Sequence, residues 1–303
     1  MRAGDDIVLL GFEECRPAAE RVAACAGAAF APVSVHRFPD GESLVRVPPA
    51  LPPRVAIYRT LDHPNDKLVE LMLCAGACRD AGAASLTLVA PYLCYMRQDI
   101  SFTPGEAVSQ RLVGAWLGSL FDSVITVDPH LHRIDDLATV LPSTRAATLT
   151  AAPLIGEFLA ARAPSALVVG PDAESAQWAE RVALAADLPW SVARKTRHSD
   201  RDVDVELPTD AVIAGAEVVL VDDVASTGHT LAEAARALLA HGASRVSCVV
   251  THPLFCDDAM ATLREAGIDD IWSTDSIAHP SNVVALDGLL AAALVSPAAD
   301  AHR

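Results

Sequence analysis

Residues 218–231 read Val218-Val-Leu-Val-Asp222-Asp223-Val-Ala-Ser226-Thr227-Gly228-His229-Thr230-Leu231, and their order points to the fold class. Four apolar residues with strong β preference lead into two adjacent carboxylates. A loop of small residues follows, and Thr230-Leu-Ala-Glu-Ala-Ala-Arg then opens a helical period. A strand, a tight loop and a helix start make an anion site, because the first helical N–H groups lack intrahelical partners and the dipole adds partial positive charge. Gly228 lets the backbone approach a phosphate closely, and the hydroxyls of Ser226, Thr227 and Thr230 can donate to it. Asp222 and Asp223 do not suit a phosphate. Beside one they suit sugar hydroxyls or a metal ion, so the stretch reads as a site for a phosphorylated ribose. An ordinary helix cap after an acidic strand end accounts for the same residues, and no Walker pattern GxxxxGK[ST] is present.

The rest of the chain bounds this reading. A length of 303 residues suggests two domains, each able to bury a core. The chain is 51% hydrophobic with 5% aromatics, rich in Ala, Val and Leu, which fits α/β layers better than a β-sandwich. A formal charge of −16 argues against a nucleic-acid surface, which needs clustered Lys and Arg. The seven cysteines form no CxxC. Cys74 and Cys78, four apart on an Ala-rich helix, read as small buried hydrophobes, with a metal pair as the alternative. The N-terminal MRAGDDIVLL carries acids where a secretion signal needs basic residues, and no uncharged apolar run reaches the ~18 residues of a membrane span. A cytoplasmic protein with no membrane partner is expected.

Apolar runs alternate with helical stretches. Strands are expected at 7–11, 55–59, 85–90, 123–128, 166–170, 217–222 and 246–251, with helices at 17–26, 65–80, 106–120, 149–162, 175–186, 230–241, 257–266 and 282–294. This alternation calls for parallel sheets with crossover helices. Shifting the chain by 160 residues lays Asp62 on Asp222, Leu71 on Leu231, Gly82 on Gly242 and Val89 on Val249 without a gap, so one α/β unit occurs twice. The first copy reads DHPNDKL and lacks the Thr-Gly turn, so the phosphate cradle belongs to the second half alone. The expected division is residues 1–145 and 146–303, with the last helix able to pack back on the N-terminal half.

Four further segments sit at expected strand ends, where open α/β sheets bind ligands: Arg37-Phe-Pro-Asp-Gly-Glu-Ser-Leu, Ala90-Pro-Tyr-Leu-Cys-Tyr-Met-Arg-Gln-Asp, Thr126-Val-Asp-Pro-His-Leu-His and Val168-Val-Gly-Pro-Asp-Ala-Glu-Ser. With the 218–231 loop they resemble, in order from about residue 7 to 293, the ribose-phosphate diphosphokinase (phosphoribosyl diphosphate synthetase) family of the type I phosphoribosyltransferase superfamily. Arg97-Gln-Asp-Ile-Ser-Phe-Thr-Pro-Gly-Glu-Ala-Val-Ser is most similar to the archaeal-type branch. The common bacterial branch is rich in Arg and Lys there and uses them for an ADP and phosphate site, so inhibition of that kind is not expected.

The resemblance implies an α/β fold of two tandem type I phosphoribosyltransferase-like domains with mainly parallel sheets and an active site between them. It implies transfer of the diphosphoryl group of ATP to O1 of ribose 5-phosphate, with Mg²⁺ as cofactor and a homo-oligomeric assembly. By motif match, Phe38 packs on adenine, and Asp40, Gly41 and Glu42 hold nucleotide edges. Arg97, Gln98 and Asp99 contact ATP, and His130 and Asp172 take the magnesium positions. Lys195 stabilises the transferring group and Arg197 approaches the sugar phosphate. Asp222 and Asp223 face the ribose hydroxyls, while Ser226, Thr227, Gly228, His229 and Thr230 cradle the 5-phosphate. His229, Glu174, Ser175 and Pro129 depart from the family pattern. Two alternatives remain: a transferase that consumes phosphoribosyl diphosphate, and a non-catalytic regulatory homologue.

Overall fold

A computed structural model describes residues 6–131, 136–197, 203–206 and 212–296, with the backbone alone at 194–197 and 203–206. The chain forms two compact units, one joining the chain up to Leu149 with the segment from Leu286 onward, the other spanning Thr150–Ala285.

Unit 1 runs β1 (Ile7–Phe12), α1 (Arg16–Ala26), β2 (Ala29–Arg37), β3 (Ser43–Arg46), β4 (Arg54–Tyr58), α2 (Pro64–Asp80), β5 (Ser85–Val89), α3 (Ser109–Leu120), β6 (Ser123–Val127) and β7 (Arg145–Leu149). Its sheet order is β3-β2-β1-β4-β5-β6-β7, parallel except for the β2–β3 hairpin. All six residues of β1 are buried, as expected of a central parallel strand covered on both faces.

Unit 2 runs α4 (Ala152–Arg162), β8 (Leu167–Gly170), α5 (Ala176–Ala186), β9 (Trp190–Val192), β10 (Arg194–Arg197), β11 (Val203–Glu206), β12 (Glu217–Ala225), α6 (His229–Ala240), β13 (Arg245–Pro253), α7 (Ala259–Glu265), β14 (Ile268–Thr274) and β15 (Asn282–Val284). The parallel sheet has the order β15-β14-β13-β12-β8-β9, and β10 and β11 make a separate antiparallel pair. The last helix, α8 (Asp287–Val295), packs on α1, β6 and β7 in unit 1.

The internal repeat is visible element by element. Displaced by 160 residues, α1 coincides with α5 and β3 with β11, α2 and α6 end together, and β5 and β13 begin together. Arg37 pairs with Ser43 across the first hairpin, and Arg197 with Val203 across the second. Even the helix ends repeat: Gly82 (φ 108) and Gly242 (φ 90) take the left-handed turn, with Ala83 N–H on Cys78 O and Ala243 N–H on Leu238 O. The copies differ at the boundary that precedes this helix. The first turns helical at Pro64, whereas the second extends its strand to Ala225 and begins its helix at His229.

Several expected bounds need correction. β12 runs three residues past its expected end at Asp222, through Asp223 to Ala225, because pairing with β13 continues to Ala225 opposite Pro253. Residues 106–108 precede α3, since the Glu106 carboxylate accepts the N–H groups of Phe102 and Thr103 to close a turn. Leu149 ends β7 rather than opening a helix, and 282–284 form a strand. β2, β7, β9, β10, β11 and β14 were not expected. Pro32 interrupts β2 and Asp269-Asp270 interrupts β14, so neither shows a continuous apolar run.

Candidate active site

In unit 2, β8 leads through α5 to β9 on one side, while β12 leads through α6 to β13 on the other. Connections therefore diverge between β8 and β12, and ligands of open α/β sheets bind in the crevice at the carboxyl ends of such strands. Asp172 follows β8 there, and Asp222 and Asp223 stand on β12. Burial pushes the Asp222 carboxyl well above the usual carboxylate range, and the nearby charges of Asp223 and Asp172 push it further. Asp223 is 2% exposed, and its N–H donates to Asp222 Oδ1 at 3.0 Å.

Asp172 Oδ1 accepts the N–H groups of Glu174 and Ser175, each at 3.1 Å. Ser175 is fully buried, its Oγ accepting from Asp172 N at 3.1 Å and donating to Asp172 O at 2.7 Å. A Cβ at Gly170 would stand 2.8 Å from that Oγ. Ser175 thus shapes the turn that presents Asp172, and Glu174 is exposed beside it.

The residues expected to form the cradle, Ser226, Thr227 and Gly228, precede the first turn of α6, where His229 is exposed and Thr230 half-buried. Gly228 has φ 75, and a Cβ there would meet Leu263 Cγ at 3.1 Å. Sequence reading missed what braces this loop from below. Phe255 N–H donates to Ala225 O and Cys256 N–H to Ser226 O, both at 2.9 Å, and Ser226 Oγ donates to Cys256 Sγ at 3.6 Å. Phe255 (φ 35) and Asp257 (φ 51) are non-glycine residues held in the left-handed region on either side of Cys256. The Phe255 ring lies 4.8 Å from that of His279, whose pKa burial lowers. The only sequence signal was position, since 254–258 follows the strand next to β12.

In unit 1 the other expected residues lie at the carboxyl edge of the sheet. Phe38 to Glu42 form the tip of the β2–β3 hairpin, with Phe38 N–H on Glu42 O at 2.8 Å and Gly41 at φ 94. Phe38 is 40% exposed, its ring edge-on to His36. Asp40 Oδ1 accepts Glu42 N–H at 3.2 Å. Beyond β5, Arg97 is exposed and Gln98 and Asp99 are half-buried, and Gln98 Oε1 accepts Ser109 Oγ at 2.7 Å. His130 is half-buried after β6, behind a buried Pro129. The strand order keeps the hairpin three spacings, about 14 Å, from the end of β5.

The corresponding crevice of unit 1, between β1 and β4, is filled from within. Arg59 and Glu70, each 1% exposed, pair at 2.5 Å. Arg59 also bonds Glu14 at 2.7 Å and lies 3.7 Å from the Phe12 ring centre. Arg37 reaches the same Glu70 at 2.9 Å. Lys67 Nζ donates to Asp62 Oδ1 at 2.6 Å and to Thr60 O at 3.0 Å. Asp62, the counterpart of Asp222, is therefore matched by an internal cation. In the second copy Thr227 stands where Lys67 would be.

Lys195 and Arg197 lie on β10, at the positions of Val35 and Arg37 in the repeat. Their side chains, and residues 198–202 of the same charged stretch, fall outside the described residues. Among the described residues no cluster of three or more His, Cys, Asp or Glu could by itself hold a metal ion.

A family model for the N-terminal domain of ribose phosphate pyrophosphokinase matches residues 7–120, and one for the phosphoribosyl transferase domain matches 150–286. The chain is 35% identical over 283 residues to a ribose-phosphate pyrophosphokinase of Methanopyrus kandleri, covering 92% of this chain and 96% of that one. It is also 35% identical to one of Halobacterium salinarum, over 89% of this chain and 94% of the relative. The fold matches a crystal structure of phosphoribosylpyrophosphate synthetase from Mycobacterium smegmatis with a TM-score of 0.83 at 24% identity, covering 96% of this chain and 98% of that one. The chain belongs to the ribose-phosphate pyrophosphokinase family.

Proposed function

We propose that the protein transfers the diphosphoryl group of ATP to O1 of ribose 5-phosphate, giving 5-phosphoribosyl 1-diphosphate and AMP. The observation that carries this reading is the unit 2 crevice, where Asp172, Asp222 and Asp223 crowd beside a glycine-turned helix N-terminus. The carboxylates suit ribose hydroxyls and a cation, and the loop N–H and hydroxyl groups suit the 5-phosphate. A transferase consuming phosphoribosyl diphosphate would share this cradle but leave the Phe38 hairpin and the Arg97 segment without a role.

In this reading unit 1 supplies the nucleotide side through Phe38, Asp40, Gly41, Glu42, Arg97, Gln98 and Asp99. Unit 2 supplies the sugar-phosphate side. The anomeric hydroxyl attacks the β-phosphorus and AMP leaves, chemistry that depends on positioning and charge stabilisation. Lys195 meets the charge on the transferring group and Arg197 the sugar phosphate. Phosphoryl transfer from ATP in this family implies a divalent metal, and the donors present fit one: Asp222 lies among carboxylates that raise its pKa, a crowding a hard oxygen-binding cation relieves. Magnesium is the ion we assign; by motif match Asp172 and His130 would hold it, and it would neutralise triphosphate charge. We further assign a cytoplasmic homo-oligomer. Among the described residues no helix is long and apolar enough to cross a membrane.

Incubation with ATP, ribose 5-phosphate and Mg²⁺, followed by ³¹P NMR, tests the reaction. AMP and an anomeric diphosphate should appear together and only with the sugar phosphate. Absence of turnover, with Lys195→Ala binding ATP as wild type does, would sink it in favour of a regulatory homologue.

A further inference from the structure

The strand starts of unit 1, at the end of the sheet opposite the Phe38, Arg97 and His130 segments, carry a cavity of 560 Å³. Its floor is one face of the sheet. Register places Arg54 beside Ser85, Ala56 beside Thr87, and Thr87 beside Ser123. It continues with Ser123 beside Arg145 and Ile125 beside Ala147, so strand alternation turns all these side chains the same way. The last turn of α8 walls one side. Both faces of a parallel sheet are ordinarily sealed by helices over large apolar residues. Here Ser85, Thr87, Ser123 and Ala147 are small and only half-buried.

Arg54 and Arg145 open β4 and β7 and flank that floor, three strand spacings or about 14 Å apart. Both are exposed, and among the described residues neither makes an ion pair. Asp122, already bonded to Arg79, is the carboxylate near enough to feel Arg145. In a chain of net charge −16 two arginines outside the acid pairs are notable as cations facing a cavity. The cavity also offers acceptors: the Asp6 carboxylate at its rim, and carbonyls of the last α8 turn, which have no partner within their own helix.

We infer that this cavity binds a phosphorylated small molecule of nucleotide size. Its phosphate sits at Arg54 or Arg145 with the hydroxyls of Ser85, Thr87 and Ser123, and its sugar or base donors face Asp6 and the α8 carbonyls. Mixed donors and acceptors favour such a ligand over inorganic phosphate, as does a volume within the ~300–1,000 Å³ range of small-molecule sites. The site is separate from the proposed reaction, because five-residue strands set it about 15 Å from the carboxyl edge.

AMP is a suitable probe, since it presents a phosphate, a ribose and an amine. Equilibrium dialysis of labelled AMP against the full chain should show one more bound AMP per chain in wild type than in Arg54→Ala/Arg145→Ala. The variant should weaken that class tenfold or more while kcat and both KM values stay within twofold. Ser123→Leu, which fills the floor without touching the arginines, should remove the same class, with the melting curve reporting that the chain is folded. Equal AMP counts in wild type and the arginine variant overturn the inference. So does loss in the arginine variant without loss in Ser123→Leu, because surface charge alone then accounts for binding. A changed sedimentation coefficient with an unchanged AMP count assigns the face to a second copy and also overturns it. The AMP counts, melting curve and sedimentation coefficient require no turnover, so failure of the diphosphokinase reading is seen separately.

Discussion

Asp172, two residues past the end of β8, and Asp222, within the adjacent parallel strand β12, flank the point where the chain connections of unit 2 diverge. Burial makes the Asp222 carboxyl costly to ionise, and the nearby charges of Asp223 and Asp172 add to that cost. A pair so arranged is poor for stability, and its placement at the ligand crevice is what a binding role requires.

The stability consequence can be measured. The Asp222 carboxyl titrates above its unfolded value of 3.8, so the folded state holds the proton more tightly than the unfolded state does. Stability is highest below the ordinary Asp range and falls as pH rises through the raised value. Asp222→Asn removes this loss. It should be more stable than wild type at pH 7.5 by on the order of 1 kcal/mol, with the gap closing toward pH 4 in thermal melts, and it should lose activity. Mg²⁺ should raise the melting temperature of wild type more than that of Asp222→Asn.

Gly228→Ala places a Cβ 3.1 Å from Leu263 Cγ on a backbone at φ 75. Strain and crowding together should cost about 1–3 kcal/mol. Urea denaturation should show this as a lower midpoint at unchanged slope, and KM for ribose 5-phosphate should rise far more than KM for ATP.

Cys256 braces the cradle through its N–H on Ser226 O and its Sγ as acceptor for Ser226 Oγ. Cys256→Val removes only the side-chain bond, worth about 1 kcal/mol. KM for ribose 5-phosphate should therefore rise roughly fivefold with KM for ATP unchanged, and Cys256→Ser should restore it. Equal rises in both constants would show that the loop serves general folding instead.

Arg59→Ala strands Glu70 in a buried position with Arg37 and Ser43 as its remaining partners. A loss of about 3 kcal/mol is expected, read from the urea midpoint. The double variant Arg59→Met/Glu70→Leu should recover part of it, since apolar replacements leave no buried charge.

How much of this was legible from residues alone follows from the kind of signal each element carries. β1, Val55–Tyr58 of β4 and Val218–Val221 of β12 are continuous apolar runs, and their strand character is local. β2 and β14 are interrupted by Pro32 and by Asp269-Asp270, and only pairing with β1 and β13 makes them strands. The turn into α6 was legible because Gly228 at φ 75 and the helix start at His229 are contiguous in the chain. The Phe255–Cys256 brace was not, because it acts across a strand boundary thirty residues away. The filled crevice of unit 1 was likewise hidden, since Glu14 follows β1, Arg59 follows β4, and Lys67 and Glu70 lie on α2.

The sequence by itself determined the α/β class, the duplication by 160 residues and the strand, loop and helix order around 218–231 in the second half. Each depends on order and spacing along the chain. Tertiary structure alone decided that Asp172 joins Asp222, that Lys67 satisfies Asp62 in the first copy, and that two arginines flank a hydroxylated floor at the far end of unit 1. The physical reason is that charge and burial act through space. A carboxylate becomes a site or a neutralised structural group according to what the fold sets beside it.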